Sequence, residues 1–161
     1  LVGLLNLSIL LSERNDHMKL KPTTRQEYAY FETMTTRWRD NDVYGHMNNV
    51  VYYEYVDTLV NSWLIKTGAL ELPGGPIIGL VVETKCTYFS EVGFPGNLSA
   101  GLRVNQIGKS SIQYEVGLFF NQGAESAARI LFTHVCVDAR SRKSVKIPDT
   151  LLKALKAITS V

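Results

Sequence analysis

The chain has 161 residues, 45% hydrophobic and 20% charged, a usage that excludes a disordered tail, a collagen-like rod or a coiled coil and fits one globular domain. A formal charge of +2 is too slight to attract nucleic acid by field alone, so no nucleic-acid partner is expected. Cys86 and Cys136 stand far apart within apolar runs, as buried free thiols of a reducing, cytoplasmic compartment do.

Leu1 to Leu11 is the most apolar stretch, but it falls short of the ~20 residues that span a bilayer. It also lacks the basic start and small-residue cleavage site of a signal peptide. Residues 1–24 are therefore expected to be an extension outside a functional domain of residues 25–161, with no membrane partner. Residues 28–40 (YAYFETMTTRWRD) set Tyr30, Met34 and Trp38 at even spacing, which predicts a half-buried strand. From Asn48 or Asn49 to about Lys66 the period changes: Tyr52, Val56, Leu59, Val60, Trp63 and Leu64 form an apolar stripe, and Glu54, Asp57 and Asn61 a polar one. That predicts a helix, capped by the paired Asn residues and closed by Gly68.

Beyond the turn-rich Leu72 to Pro76 come four strand-like runs, Ile77 to Glu91, Asn97 to Ile107, Ser110 to Asn121 and Glu125 to Arg140. The short separators Gly108-Lys109 and Gln122-Gly123-Ala124 predict hairpins, hence an antiparallel meander of the last three strands. Asp149 to Ile158, after Pro148, predicts a short C-terminal helix. The layout is α+β, a five-stranded antiparallel sheet wrapped around one long helix.

The chemistry concentrates in Arg37-Trp38-Arg39-Asp40-Asn41-Asp42-Val43-Tyr44-Gly45-His46-Met47-Asn48-Asn49. Carboxylates, an imidazole and paired amides stand between a strand end and a helix start, where backbone N–H groups are unpaired and the helix dipole is positive. Such a place favours developing negative charge. Asp40 is expected to pair with Arg37 or Arg39 in a structural role.

The pattern D-x-D-x-x-G-H-x-N-N-x-x-Y, running from Asp40 to Tyr52 and followed by an aromatic-rich helix, resembles the hotdog-fold acyl-CoA thioesterases of the 4-hydroxybenzoyl-CoA thioesterase type. It is also similar to the plant acyl-carrier-protein thioesterases, and the likeness covers residues 28–158. The resemblance implies a hotdog fold and hydrolysis of an acyl-CoA thioester without metal or other cofactor. It implies that Asp42 is the carboxylate that attacks the thioester carbonyl or activates a water to do so. It implies that the Asn49 backbone N–H polarises the carbonyl oxygen and that Gly45 lets the backbone approach the thioester. His46 matches a residue that is catalytic in some relatives and orients the loop in others. Tyr44 departs from the plant pattern, which has an amide side chain there, and this favours a supporting role for His46. Glu54 and Asp57 are reserve candidates, because some relatives carry the working carboxylate on this helix.

A thioesterase needs basic or N–H-rich surface for the coenzyme A phosphates. Arg140 and Arg142 after the last strand, and Lys109, Ser110 and Ser111 in a hairpin turn, are the substrate-binding candidates. The helix aromatics Tyr52, Tyr53, Tyr55 and Trp63 suit core and subunit contacts, and Tyr52 is carried with the substrate-binding set. The resemblance further implies a homodimer or homotetramer with the site at the subunit boundary. A non-catalytic acyl-CoA or acyl-carrier-protein binder of the same fold is the alternative function. Other motifs fail: Asp40-x-Asp42 opens like a calcium loop but Val51 stands where a Glu is needed, and there is no G-x-S-x-G elbow.

Overall fold

A computed structural model describes residues 20–159, so the proposed extension lies largely outside the described residues. Its boundary moves, however. Thr23 is buried, with its backbone N–H and its hydroxyl each 3.0 Å from Ser126 Oγ, and Thr24 bridges to Glu125. These two residues belong to the packed domain.

The elements are β1 (Tyr30–Thr35), α1 (Asn49–Thr67), β2 (Ile77–Tyr88), β3 (Asn97–Ile107), β4 (Ser111–Phe120), β5 (Ala128–Asp138) and α2 (Asp149–Ala157). They form one antiparallel sheet in the order β1-β3-β4-β5-β2, with the expected meander at its centre. This is the hotdog arrangement, with the sheet curved around α1.

Asn48 starts α1 by accepting the Val50 N–H at 3.1 Å, and Gly68 ends it in the left-handed region at φ 62°. All six residues of the expected apolar stripe are buried, joined by Val51 and Tyr55. Val56, Leu59 and Val60 are fully buried, each a gain of about 1.5–3 kcal/mol over exposure. They meet alternate residues of the sheet: Leu98, Ala100 and Leu102 of β3, Tyr114, Val116 and Leu118 of β4, and Ile130 and Phe132 of β5.

The outer face of the sheet is covered as well. The Tyr28 ring lies against β3 and β4 where both carry glycine; a Cβ on Gly101 or Gly117 would stand 2.7 or 2.6 Å from it. Beside it Glu115 is fully buried between Arg103 at 2.7 Å and Arg129 at 2.6 Å, and accepts the Tyr28 hydroxyl at 3.2 Å. The far edge differs. β2 pairs only with β5, and Val81 and Val82 beside its bulge are exposed, a long uncovered edge of the kind that invites pairing.

The strand expected over residues 28–40 is shorter. Tyr28 precedes β1, and after Thr35 the chain turns into a 3-10 turn, Trp38–Asp40. The cause is local: the Asp40 carboxylate accepts the Arg37 backbone N–H at 2.7 Å, which curls the segment, and Trp38 is exposed rather than packed. The thiols are free, Cys136 buried and Cys86 half-buried. Among the described residues no helix is long and apolar enough to cross a membrane.

Candidate active site

The loop joining β1 to α1 is held at both ends. Asp40 is buried and spends its carboxylate on Arg37, at Nε (2.9 Å) and backbone N–H (2.7 Å), and on the Tyr55 hydroxyl at 2.6 Å. Its carbonyl accepts the Asn48 N–H at 2.8 Å, so Asp40 ties the start of α1 to the end of β1, the structural role expected of it. On the other side Met47 donates its N–H to Val92 O at 2.7 Å, and Asn41 Oδ1 accepts the Phe94 N–H at 3.0 Å. The connection between β2 and β3 is thereby folded against the loop.

Between these anchors the chain makes a tight reversal. Asp42 N–H donates to His46 O at 2.8 Å, and Gly45 N–H to Asp42 O at 3.2 Å. Gly45 sits at φ 85°, a conformation that glycine adopts without strain. The Asp42 side chain stabilises the turn with one oxygen: Oδ1 accepts the Tyr44 N–H at 2.8 Å and the His46 N–H at 3.3 Å. Its Oδ2 has no hydrogen-bond partner among the described residues. A half-buried carboxylate is thus fixed in direction with one oxygen left over.

Asn49 is the first helical residue, so its N–H has no carbonyl one turn back to receive it. The dipole of a five-turn helix adds positive potential at the same place. The structure therefore brings Asp42, Gly45, His46 and Asn49 into one segment at the α1 N-terminus. His46 Nε2 lies 3.3 Å from Glu91 Oε2, both groups exposed. Two open clefts of about 320 Å³ meet at His46, one lined by Gly45, Glu91, Gly93, Phe94 and Phe120 and the other by Tyr52, Tyr88, Phe89 and Val92. Tyr52 is buried, edge-on to Tyr88 at 5.0 Å, and lines the second cleft. Burial, then the neighbouring Cys86, pushes its hydroxyl pKa up to about 12, so it stays a neutral donor.

The walls Glu91, Val92, Phe94 and Tyr88 were not foreseen. Tyr88 and Glu91 belong to the strand-like run Ile77 to Glu91, which ends at Tyr88 in the structure, and Phe94 to the Gly93-Phe94-Pro95-Gly96 turn; these patterns mark a strand and a connection and not what they fold against.

The other candidates lie elsewhere. Lys109, Ser110 and Ser111 are at the start of β4, where Lys109 O accepts the Ile147 N–H at 3.1 Å; Arg140 and Arg142 follow β5. The first cleft reaches Phe120 at the opposite end of β4, about 30 Å away along the strand. One chain does not bring these residues to the loop. Of the reserve carboxylates, Glu54 is paired with Arg37 at 3.0 Å, and Asp57 accepts from the Asn61 amide at 3.1 Å. Among the described residues, no three His, Cys, Asp or Glu side chains converge as metal ligands would.

Comparison with known proteins agrees with this architecture. The PA5185 protein of Pseudomonas aeruginosa PAO1 is 48% identical, over 88% of this chain and 98% of that one, with a TM-score of 0.83. The PA2801 protein of Pseudomonas aeruginosa is 25% identical over 80% of this chain and 98% of its own, with a TM-score of 0.74. Slr0204 of Synechocystis, a 1,4-dihydroxy-2-naphthoyl-CoA thioesterase, shares the fold at 18% identity and a TM-score of 0.71, over 79% of this chain and 95% of its own. No curated protein matches the chain. The Thioesterase-like superfamily matches residues 36–155, a span that runs from the end of β1 into α2 and includes the whole loop. On that match the chain belongs to the Thioesterase-like superfamily.

Proposed function

We propose that the protein hydrolyses an acyl-CoA thioester to the free acid and CoA. The observation that carries the reading is the Asp42 carboxylate, pinned through one oxygen by two loop N–H groups and with no hydrogen-bond partner among the described residues on the other, in the loop that leads into Asn49 at the start of α1. Family membership supports thioester chemistry there.

Asp42 then attacks the thioester carbonyl, or takes a proton from a water that does. The carbonyl oxygen gains negative charge as the new C–O bond forms, and the Asn49 N–H at the positive end of α1 stabilises it. Collapse breaks the C–S bond and releases the thiolate, which is protonated to CoA; where water attacks, the free acid forms at once, and where Asp42 attacks, a water then cleaves the acyl–Asp42 anhydride to the free acid and restores the carboxylate. Gly45 keeps the loop backbone open to the thioester, and His46 holds one wall with Glu91.

The distant basic residues find a place in an oligomer. Two copies joined antiparallel along their free β2 edges run in opposite directions. The Arg140 end of one copy then lies beside the Tyr88 end of the other, where the clefts open. That arrangement, a homodimer or an assembly of such dimers, makes Lys109, Arg140 and Arg142 candidates for the CoA phosphates of the neighbouring site.

The test is thiol release from a panel of acyl-CoAs, short, long and aromatic, with wild type and Asp42→Asn side by side. A loss of about a hundredfold or more in a folded Asp42→Asn is expected. Full activity in that variant would move the carboxylate role to Glu54 or Asp57. An inactive wild type that still binds the ligands would make the protein a binder.

A further inference from the structure

A second cavity lies on the outer face of the sheet, where Asn121 follows Phe120 of the first cleft. Arg25 opens the short turn before β1, and its guanidinium is held entirely by neutral acceptors. Nε donates to Gly123 O at 3.1 Å, Nη1 to Ser99 Oγ at 2.9 Å and Nη2 to Asn121 O at 3.2 Å. The Phe119 ring covers one face at 4.8 Å. A guanidinium has five N–H donors, so two remain. Among the described residues no carboxylate pairs with Arg25; Glu27 and Glu32, close by in sequence, are engaged with Arg103 and Lys66.

The cation borders a cavity of about 260 Å³ whose other walls are Thr33, Asn97, Ser99, Asn121 and Gln122, without a carboxylate. Several acceptors of this wall are spent inside the protein, while the Thr33, Asn97 and Gln122 side chains keep both donors and acceptors. Gly123 O, Asn121 O and Ser99 Oγ take Arg25. Asn121 Oδ1 takes the Asn97 N–H at 3.0 Å, and Asn97 O takes the Asn121 N–H at 2.8 Å. The Asn121 bond fixes the amide orientation and leaves its Nδ2 donors uncommitted. What faces the cavity is therefore a set of neutral amides and hydroxyls able to donate, beside one positive charge that no carboxylate pairs with among the described residues.

We propose that this cavity binds a phosphate group. Arg25 supplies the charge through a rigid, prepositioned guanidinium, and the Asn97, Asn121 and Thr33 side chains supply neutral donors. The shared chemistry is a phosphate monoester or inorganic phosphate. The site does not depend on thioester hydrolysis, and phosphate alone is the first probe.

The test follows backbone amide shifts while inorganic phosphate is titrated into wild type, Arg25→Gln and Asn97→Asp. Asn97→Asp leaves the Arg25 contacts and the Asn97 backbone bond in place and adds a repelling charge to the wall, so it reports even if Arg25→Gln loosens the turn. Saturable shifts at Arg25, Thr33, Asn97 and Asn121, with a Kd of about 1 mM or tighter in wild type and at least about tenfold weaker in Asn97→Asp, are expected. No saturable shift at these residues, or equal affinity in Asn97→Asp, overturns the proposal. Competition then assigns the source: displacement by CoA but not by dephospho-CoA identifies the CoA 3′-phosphate, and displacement by neither identifies a free phosphate anion.

Discussion

Two carboxylates in this molecule are surrounded by donors and do opposite things. On the outer face Glu115 is fully buried, with both oxygens engaged by Arg103, Arg129 and Tyr28. In the β1–α1 loop Asp42 is half-buried, and only one oxygen is engaged, by two backbone N–H groups. The first arrangement spends its charge on structure, because desolvated ions must find all their partners at home. The second keeps an oxygen in reserve while the loop fixes its direction. What separates the two regions is not the number of donors but whether any acceptor capacity is left.

The contrast is broken most strongly at Glu115. Glu115→Ala leaves two guanidinium groups facing a cavity, and unpairing a buried ion typically costs about 3–5 kcal/mol. A large fall in the urea midpoint is expected, with the proposed thioester turnover of the remaining folded protein unchanged. A loss of turnover without a loss of stability would mean that the outer face takes part in the chemistry.

The opposite perturbation is Asn49→Pro. Proline is favoured at the first helical position, and Asn48, at φ −58° and ψ 137°, already has the extended backbone that a residue before proline needs. The substitution deletes one N–H and little else. If that N–H stabilises the developing oxyanion, turnover falls by about 10²–10³-fold while the thermal midpoint stays near wild type. Retained turnover would remove the Asn49 amide from the mechanism.

Much of this was readable from the sequence, and where it was not the reason is physical. The limits of β3, Asn97 and Ile107, and the caps of α1, Asn48 and Gly68, rest on short-range patterns: alternation, a side-chain acceptor before a helix, and a left-handed glycine. Even spacing with Tyr30 and Met34 extends the strand pattern to Trp38. A side chain three residues from Arg37, that of Asp40, overrides the pattern by capturing the backbone. Glu115 lies in the strand-like run Ser110 to Asn121 with nothing beside it in sequence that marks it as buried; its burial depends on Tyr28 crossing two glycines of separate strands, a coincidence that no local pattern contains. The same holds for the cleft walls Glu91 and Phe94, brought to the loop by the Met47 and Asn41 contacts. The residues proposed for the chemistry around Asp42, a carboxylate, a glycine and a helix start, are contiguous, so the loop that holds them is legible as one segment. The basic residues could not be placed, since they lie at the other end of a sheet whose partner edge is free.

The smallest expected effect concerns Asp40, the structural neighbour of Asp42 in the same loop. Burial raises its pKa, and the Tyr55 hydroxyl, the Arg37 N–H and the Arg37 charge together lower it further, for a net shift below the ordinary carboxylate value. A folded pKa below the unfolded one contributes stability that is present above the unfolded value of about 3.9 and is lost as pH falls through the folded one. Asp40→Asn keeps the size of the side chain but removes the charge from these bonds. At neutral pH it is expected to cost about 2 kcal/mol, the worth of hydrogen bonds to a charged group. Urea midpoints measured from neutral pH downward should show the gap to wild type narrowing below about pH 4, as the wild-type carboxylate takes up its proton. A gap that stays constant across that range would mean that Asp40 acts by shape alone. The loop would then owe its position to the Met47 and Asn41 contacts rather than to a charge beside the one proposed for catalysis.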